Sequence, residues 1–348
     1  MKPRVYLDWN ATAPLRAEAK AAMVEAMDVV GNPSSVHAEG RKAKALVEKA
    51  RAQVASALGA DGADVVFTSG ATEAAALAFA GRGYVGSDVE HDAVVSWIDV
   101  SLAVNENGLV EVQEPEKTAL QLANSETGVV QELPQGLACS DLTQALGKIP
   151  LAFNWLGCTS AIISAHKLGG PKGIGALVVK RGTDVSAQLK GGGQEMGRRA
   201  GTENILGIVG FGAAAEAASA DLANGVWDKV EQLRDFFESY IEDVANDVIF
   251  AGKASKRLPN TSCLAVPGWK GETQVMQMDL AGYAISAGSA CSSGKVRASR
   301  VLKAYGYGDD VAASAIRVSI GPETTKDELI GFADAWLAQK DKHRARAA

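Results

Sequence analysis

Cysteine is scarce in this sequence of 348 residues, which has only Cys139, Cys158, Cys263 and Cys291. No two of them form a C-x-x-C pair and their spacing matches no zinc-binding pattern, so we predict no metal site. A long chain with a few scattered thiols is typical of a reducing compartment rather than of a disulfide-bonded secreted fold. We therefore expect a cytoplasmic protein in which most of these cysteines are buried and chemically inert.

Long apolar segments are also missing. The first ten residues, MKPRVYLDWN, contain no apolar run of the kind that a secretory signal requires. The longest apolar stretch, residues 204–220, is rich in small residues and is interrupted by Glu216. This composition predicts a helix buried in the protein rather than a membrane span, so we expect no membrane partner.

The charge balance and the glycine motifs argue against several classes of protein. The formal net charge is −6, with 35 Lys and Arg against 41 Asp and Glu, so we expect no nucleic-acid partner. The Walker pattern G-x-x-x-x-G-K-[ST] is absent, and no G-x-G-x-x-G motif follows a predicted strand. These absences argue against a P-loop NTPase and against a Rossmann dinucleotide site.

The pattern of apolar residues predicts an α/β fold with a largely parallel sheet. Helical periodicity is clear in residues 15–30 and 37–59, and short apolar runs alternate with helices further along the chain. Those runs lie at residues 64–70, 119–123, 161–164 and 176–179. Strands that alternate with helices in this way are typical of a sheet whose strands are mostly parallel.

The chain is long enough for two domains. Residues 201–247 show a helical pattern, and after Val248 the pattern changes to short strands mixed with helices. We predict a large domain over residues 15–250 and a smaller α+β domain formed by residues 1–14 and 251–348. The smaller domain would carry the loop that contains Cys291.

The segment FTSGATE predicts a strand, a turn of small residues and the start of a helix. Gly70, Ala71 and Thr72 would present backbone N–H groups and a hydroxyl at the positive end of that helix, an arrangement that suits a phosphate group. The alternative is that the same turn only caps the helix.

Lys167 lies between two apolar runs and beside glycines, in the segment SAHKLGGPKG. An apolar site lowers the pKa of a lysine and makes its amine a usable nucleophile or base. The alternative is a solvated loop lysine, an interpretation that fits Lys172 well.

Asp141 follows another short apolar run, and groups at the carboxyl ends of neighbouring parallel strands face one crevice. A Schiff-base lysine with an acid for a pyridinium nitrogen is what pyridoxal phosphate (PLP) requires, although Asp141 alone would be read as a helix cap.

Three further residues are candidates for chemistry. Cys291, in SAGSACSSG, has no bulky apolar neighbour, which indicates an exposed loop thiol that would need activation to react. Arg317, in AIRVSIG, shares one strand face with Ser319 and is suited to bind a carboxylate, although such arginines are usually solvated. His91 begins a helix, where a histidine is most often a surface residue.

The order of these motifs along nearly the whole chain resembles that of the cysteine desulfurases, fold-type I PLP enzymes of the class V aminotransferase family. The likeness is carried by YLDWNATAP, GNPSSVH, FTSGATE, EHDAV, ANSETGVVQ, SDLTQALGKIP, SAHKLGGPKGIGAL, GGGQEMGRRAGTEN, SAGSACSSGKV and AIRVSIGP. The cysteine loop is similar to that of the branch that serves iron–sulfur cluster assembly and nitrogenase maturation.

The resemblance implies PLP as cofactor and conversion of L-cysteine to L-alanine, with the sulfur held as a persulfide on Cys291. It further implies a homodimer, with Thr202 reaching the cofactor phosphate of the partner subunit, and a sulfur-acceptor protein of a cluster-assembly or thiolation pathway. The implied catalytic residues are Lys167, Cys291 and His91. The implied cofactor-binding residues are Ala71, Thr72, Asp141, Gln144, Ser164, His166, Lys167 and Thr202. The implied substrate-binding residues are Asn10, Asn124 and Arg317.

The chain also departs from the family pattern. Ser125 replaces the second of two asparagines, residues 74–76 are three alanines where an asparagine is usual, and residues 132–137 replace an expected helix. Leu142 occupies the position of a small residue that packs on the cofactor ring, where we expect it to crowd the cofactor. These departures keep open the alternative of a degenerate PLP-fold paralogue that acts as a partner or regulatory subunit. A further alternative keeps catalysis but changes the substrate, as in a selenocysteine lyase-type enzyme.

Overall fold

A computed structural model of the protein describes residues 4–288 and 298–347. The predicted loop position of Cys291 lies outside the described residues. The helices are α1 (Ala17–Ala26), α2 (Ala38–Ala57), α3 (Ala71–Phe79), α4 (Asp92–Val95), α5 (Ile205–Ala223), α6 (Val226–Val244), α7 (Gly271–Leu280), α8 (Arg300–Ala304), α9 (Asp309–Ser314) and α10 (Lys326–Ala347). The strands are β1 (Val5–Tyr6), β2 (Asp64–Thr68), β3 (Val85–Gly86), β4 (Asp99–Val100), β5 (Ala119–Gln121), β6 (Leu137–Asp141), β7 (Cys158–Ser164), β8 (Gly175–Val179), β9 (Ile249–Phe250), β10 (Thr261–Ala265), β11 (Tyr283–Ala284), β12 (Ser286–Ala287) and β13 (Ile316–Ser319).

The central sheet has five strands in the order β2-β8-β7-β6-β5. Strand β8 runs antiparallel to both of its neighbours, whereas β7, β6 and β5 are parallel to one another. Four of the five strands therefore point the same way, and the predicted mostly parallel sheet is confirmed. Every residue of β8 is buried, as expected for a strand that is covered on both faces of the sheet.

Helix α5 packs against α1 and α2 on one face of this sheet. A side chain at Gly212 would place its Cβ only 2.7 Å from the Cα of Ala50, so glycine at this position lets α5 and α2 approach closely. By length and composition α5 is able to cross a bilayer, but Phe211 and Ala214 are buried in the hydrophobic cluster beneath α2. This packing confirms the prediction of a buried helix.

Helix α3 covers the opposite face. Ala74 and Ala75 are fully buried there against Ile162 of β7 and Leu177 of β8. The three-alanine segment is therefore part of the core between helix and sheet, where short side chains let α3 lie close to the strands.

A second hydrophobic cluster forms around the antiparallel sheet β12-β13-β10-β9. It contains Leu264 and Ile316 from this sheet, Trp336 from α10, and also Trp227 and Phe237 from α6. Helix α6 thus packs with the carboxyl-terminal part of the chain. The predicted domain boundary at residue 250 stays a prediction, and this packing favours a boundary near the start of α6.

The amino-terminal segment connects the two regions. Strand β1 pairs in parallel with β11, and Asp8 then forms a β-bridge with Ser319 of β13. The segment continues to the end of β7, where the N–H of Ala13 donates to the carbonyl of His166 at 2.9 Å. Residues 8–13 therefore run across the seam between the two hydrophobic clusters, directly beside the predicted lysine.

Candidate active site

A cavity of about 740 Å³ opens at this seam, at the carboxyl ends of β6 and β7. Ligands of α/β proteins commonly bind in such a crevice, and the volume suits a ligand of cofactor size. Ten of the predicted site residues line it, namely Asn10, Ala71, Thr72, His91, Asp141, Gln144, Ser164, His166, Lys167 and Arg317. They come from distant segments of the sequence, and the fold brings them together.

Lys167 ends a single helical turn, Ala165–Lys167, that directly follows β7. Its Nζ donates to the carbonyl oxygens of Asn10 at 2.7 Å and Ala11 at 2.8 Å. The side chain is half-buried and lines the cavity. Two backbone acceptors of the amino-terminal segment therefore hold the amine in place beside the cavity.

The start of α3 forms a cradle at one end of the cavity. A Cβ at Gly70 would meet no atom within 4 Å, whereas a Cβ at Gly175 would lie 2.7 Å from the carbonyl carbon of Gly70. Glycine at 175 therefore lets β8 touch the turn before α3. The first N–H groups of a helix have no acceptor within the helix, so Ala71 and Thr72 are placed to bind an anion together with Ser164.

Asp141 is the last residue of β6, and one of its carboxylate oxygens accepts the N–H of Thr143 at 2.8 Å. It therefore serves as a local cap and also lines the cavity.

The expectation that Leu142 crowds the cofactor is wrong. Leu142 is fully buried in the first hydrophobic cluster and does not line the cavity. Neighbouring side chains at the end of a strand point to opposite sides, so a leucine there fills the core.

Two histidines line the cavity with different surroundings. His91 precedes α4, and its Nδ1 accepts the N–H of Ala93 at 3.1 Å, which leaves the proton of the neutral ring on Nε2. His166 Nδ1 lies 3.2 Å from the hydroxyl of Thr12. Burial, together with the positive charges of Lys167 and Lys172, lowers the pKa of His166 to about 4, so its imidazole is neutral at pH 7.

Arg317 of β13 is 3 % exposed and lines the cavity. Its guanidinium donates to a carboxylate oxygen of Asp8 at 2.8 Å and to the carbonyl of Ser125 at 3.0 Å. Its Nε has no hydrogen-bond partner among the residues that the structure describes. Asp8 also accepts the hydroxyl of Ser286 at 2.8 Å. The guanidinium is thus oriented at the cavity wall with donor capacity left.

Two predicted residues lie elsewhere. Asn124 does not line the cavity, because its side chain closes a turn: it accepts the N–H groups of Glu126 and Thr127 and donates to the carbonyl of Val89. Thr202 is exposed, and it too does not line the cavity. The roles that the resemblance implied for these residues stay predictions.

Sequence reasoning missed several lining residues, among them Asp8, Thr12, Gln121 and Ser286. Asp8 carried a usable signal, since it is the only acidic residue in the first 17 and directly follows an apolar strand. The others are small or neutral polar residues, and nothing in their local sequence distinguishes them from ordinary surface positions.

A half-buried carboxyl group lies behind the wall that carries Arg317. Glu126 accepts the hydroxyl of Ser299 at 2.6 Å and is largely withdrawn from solvent. Burial raises the pKa of Glu126 to about 7 from the ordinary value of 4.5, although Arg317 and Arg300 partly oppose this. A carboxyl whose pKa is raised by folding stabilises the fold at low pH, and this contribution is lost as the pH rises through about 7.

We therefore expect Glu126→Gln to gain stability relative to the wild type as the pH rises from 5 to 8. The relative gain in the free energy of unfolding should reach up to about 3 kcal/mol, because the amide stays neutral. Urea denaturation at several pH values measures it. Glu132→Gln, at an exposed position, is the control and should show little pH-dependent difference. A Glu126→Gln difference that does not change with pH would contradict the assignment.

Comparison with known proteins agrees with this geometry. Residues 5–332 match the profile of the class V aminotransferases. The chain is 35 % identical to the cysteine desulfurase IscS of Dictyoglomus turgidum, with 94 % of this chain and 92 % of the relative covered. It is 37 % identical to a cysteine desulfurase of Frankia sp., with 95 % and 90 % covered. Its fold is similar to that of a NifS-like protein from Rickettsia africae, with a TM-score of 0.88, 30 % identity, and 97 % and 99 % of the two chains covered. The chain belongs to the class V aminotransferase family.

Proposed function

We propose that this protein is a PLP-dependent cysteine desulfurase that converts L-cysteine to L-alanine and transfers the sulfur to Cys291. The observation that carries the proposal is the single cavity in which Lys167, Asp141 and Arg317 meet from three different elements. A lysine for the carbonyl of PLP, an acid for its ring nitrogen and a cation for the substrate carboxylate are the groups that this reaction needs.

The residues of the cavity fit PLP. Lys167 would bind its aldehyde carbon, Asp141 would pair with its ring nitrogen, Gln144 would face its phenolic oxygen, and the start of α3 would hold its phosphate. When bound, PLP supplies an electron sink for the negative charge that develops at the substrate Cα. The protein contributes orientation and proton transfer.

Proton transfer is assigned to two side chains. Lys167 Nζ, which the carbonyls of Asn10 and Ala11 hold beside the cavity, would remove the proton from Cα. His91 would handle protons at its Nε2, because the hydrogen bond from Ala93 occupies its Nδ1.

Arg317 would bind the substrate carboxylate. The contact with Asp8 fixes the guanidinium before substrate arrives, which reduces the entropy lost on binding. Asn10 also lines this part of the cavity, but its amide hydrogens are already donated to the carbonyl of Ser125 and the hydroxyl of Thr261. Its side chain is therefore suited to shape the site around the substrate.

Sulfur transfer would use a thiolate as nucleophile. The thiolate of Cys291 attacks the substrate sulfur, an S–S bond forms, and the Cβ–S bond breaks with its electron pair passing to carbon, which takes up a proton to give alanine. Burial raises the pKa of the thiols of Cys139, Cys158 and Cys263, that of Cys158 to about 11. These three thiols stay protonated near neutral pH, which supports Cys291 as the acceptor.

The proposal includes the partners and location expected from the resemblance. We expect a homodimer, in which the exposed Thr202 would face the cofactor phosphate of the partner subunit. A sulfur-acceptor protein of a cluster-assembly or thiolation pathway would receive the persulfide. Three free cysteines support a reducing, cytoplasmic location.

The degenerate-paralogue alternative is not favoured. Leu142 lies in the core, and residues 132–137, where the chain is shortened, do not line the cavity. The departures from the family pattern at these positions therefore leave the described walls of the cavity in place.

Alanine released from L-cysteine tests the proposal, with purified protein, PLP and a thiol reductant. The wild type should release alanine, and Cys291→Ala should release essentially none. Cys263→Ala, which removes a buried thiol, is the matched control and should retain activity.

A wild type that binds PLP but releases no alanine would contradict the proposal and favour the non-catalytic paralogue. Release of alanine from L-selenocysteine but not from L-cysteine would instead identify a selenocysteine lyase-type enzyme.

A further inference from the structure

A second lysine lies directly behind the cavity. Lys148 is 2 % exposed and does not line the cavity, yet its Nζ donates to two side chains that do. The acceptors are Oδ1 of Asn10 at 2.8 Å and Oε1 of Gln144 at 2.7 Å. Lys148 therefore connects the core to the cavity wall through two hydrogen bonds.

Lys148 has an unusual electrostatic environment for a buried lysine. Burial is the main cause that lowers its pKa well below the ordinary value, and Lys167 and Arg317, both cationic, add to the effect. Both of its hydrogen-bond acceptors are neutral amides. By contrast, the equally buried Lys340 pairs with the carboxylate of Asp247 at 2.6 Å.

The contact with Lys148 helps to determine how the amide of Gln144 is oriented. Because the amine donates, it requires the amide oxygen on its side, and this places Nε2 of Gln144 toward the carbonyl of Asn10 at 3.0 Å. The nitrogen and oxygen of an amide have nearly the same shape, so hydrogen-bond partners decide between the two orientations. Without Lys148, only the carbonyl of Asn10 would still select this orientation of the Gln144 amide.

The same carbonyl connects Gln144 to Lys167. The carbonyl oxygen of Asn10 accepts Nε2 of Gln144 and also Nζ of Lys167. The side chain of Asn10 is held by Lys148 and Asn260 at its oxygen. Lys148 thus acts on the acceptor of the Lys167 amine through Gln144 and through Asn10.

We propose that Lys148 is a positioning residue that keeps an amide N–H of Gln144, rather than its oxygen, directed toward the phenolic oxygen of bound PLP and holds Asn10 beneath Lys167. An N–H donor stabilises a deprotonated phenolic oxygen, whereas an amide oxygen in the same place opposes it. This inference rests on the proposed function, which places the phenolic oxygen of PLP opposite Gln144.

A pH titration of visible absorbance tests this on PLP-loaded protein without substrate. Lys148→Met, which has a similar length and no donor, should shift the absorbance midpoint upward by about half a pH unit or more. It should also weaken PLP binding about 3- to 10-fold, as expected for the loss of about one hydrogen bond. Lys148→Gln, which keeps an amide donor, should restore part of both changes.

Lys340→Met is the matched control, because it removes an equally buried lysine far from the cavity. It should lower stability without moving the absorbance midpoint. A midpoint for Lys148→Met within about 0.2 units of the wild type, or an equal shift in Lys340→Met, would overturn the assignment. If Lys148→Met does not fold, Lys148→Leu, which also lacks a donor, is judged by the same midpoint criterion. Failure to release alanine from L-cysteine would affect the proposed function but not this comparison, which uses no substrate.

Discussion

Replacement of Lys167 by alanine is expected to reduce alanine formation from L-cysteine by at least about 10³-fold. The substitution removes both the amine that binds PLP and the base that moves the Cα proton, and a positioned general base alone contributes about 10² to 10⁴-fold. The loss should be in kcat, because Arg317 and the rest of the cavity still bind substrate. Steady-state kinetics with saturating PLP measure this effect.

Lys180→Ala is a suitable control, because this lysine is exposed just beyond β8 and does not line the cavity. It should leave kcat within about twofold of the wild type, as most exposed substitutions do. Visible absorbance provides a second readout, since Lys167→Ala should lose the band of lysine-bound PLP while Lys180→Ala keeps it. Near wild-type activity in Lys167→Ala would show that the amine has no catalytic role.

Asp141→Ala is expected to lower kcat by about 10²- to 10³-fold and to weaken PLP binding. The carboxylate would keep the ring nitrogen of PLP protonated, and electrostatic groups of this kind contribute several kcal/mol to catalysis. We expect the effect to be electrostatic rather than structural. Asp141→Asn tests this, because it keeps an oxygen for the N–H of Thr143 but removes the charge.

Kinetics of the two Asp141 variants separate charge from structure. If the negative charge is what matters, Asp141→Asn should lose nearly as much activity as Asp141→Ala, while its midpoint of thermal unfolding stays close to that of the wild type. An Asp141→Asn variant with full activity would mean that the residue acts only as a cap for the turn after β6.

Much of the fold followed from local patterns. The strand before Gly70, the apolar helix in the region of residues 204–220 and the strands that flank Lys167 all lie where periodicity predicted them. Asp141 and Lys167 were expected to share one crevice because both follow parallel strands, and both line the cavity. The preference of a segment for helix or strand depends mainly on residues close to it in the sequence. The positions of single helices and strands can therefore be predicted from local patterns.

Predictions that depended on side-chain direction or on contacts across the chain were less accurate. Leu142 was expected at the cofactor. Side chains alternate between the two faces of a strand, so Asp141 faces the cavity and the next residue, Leu142, lies in the core. Asp8 orients Arg317 across 309 positions, and Lys148 contacts Asn10 across 138. No local pattern encodes these contacts.

Residue chemistry and motif order alone therefore determined the class of fold, the family, and the lysine, aspartate and arginine on which the proposed chemistry depends. The tertiary structure decided which neighbours hold those groups and which face each side chain presents. The physical reason is the separation along the sequence of the residues that interact. Periodicity and turn preferences arise from neighbouring residues, whereas the hydrogen bonds that orient Arg317, Gln144 and Lys167 join segments that meet only after the chain has folded.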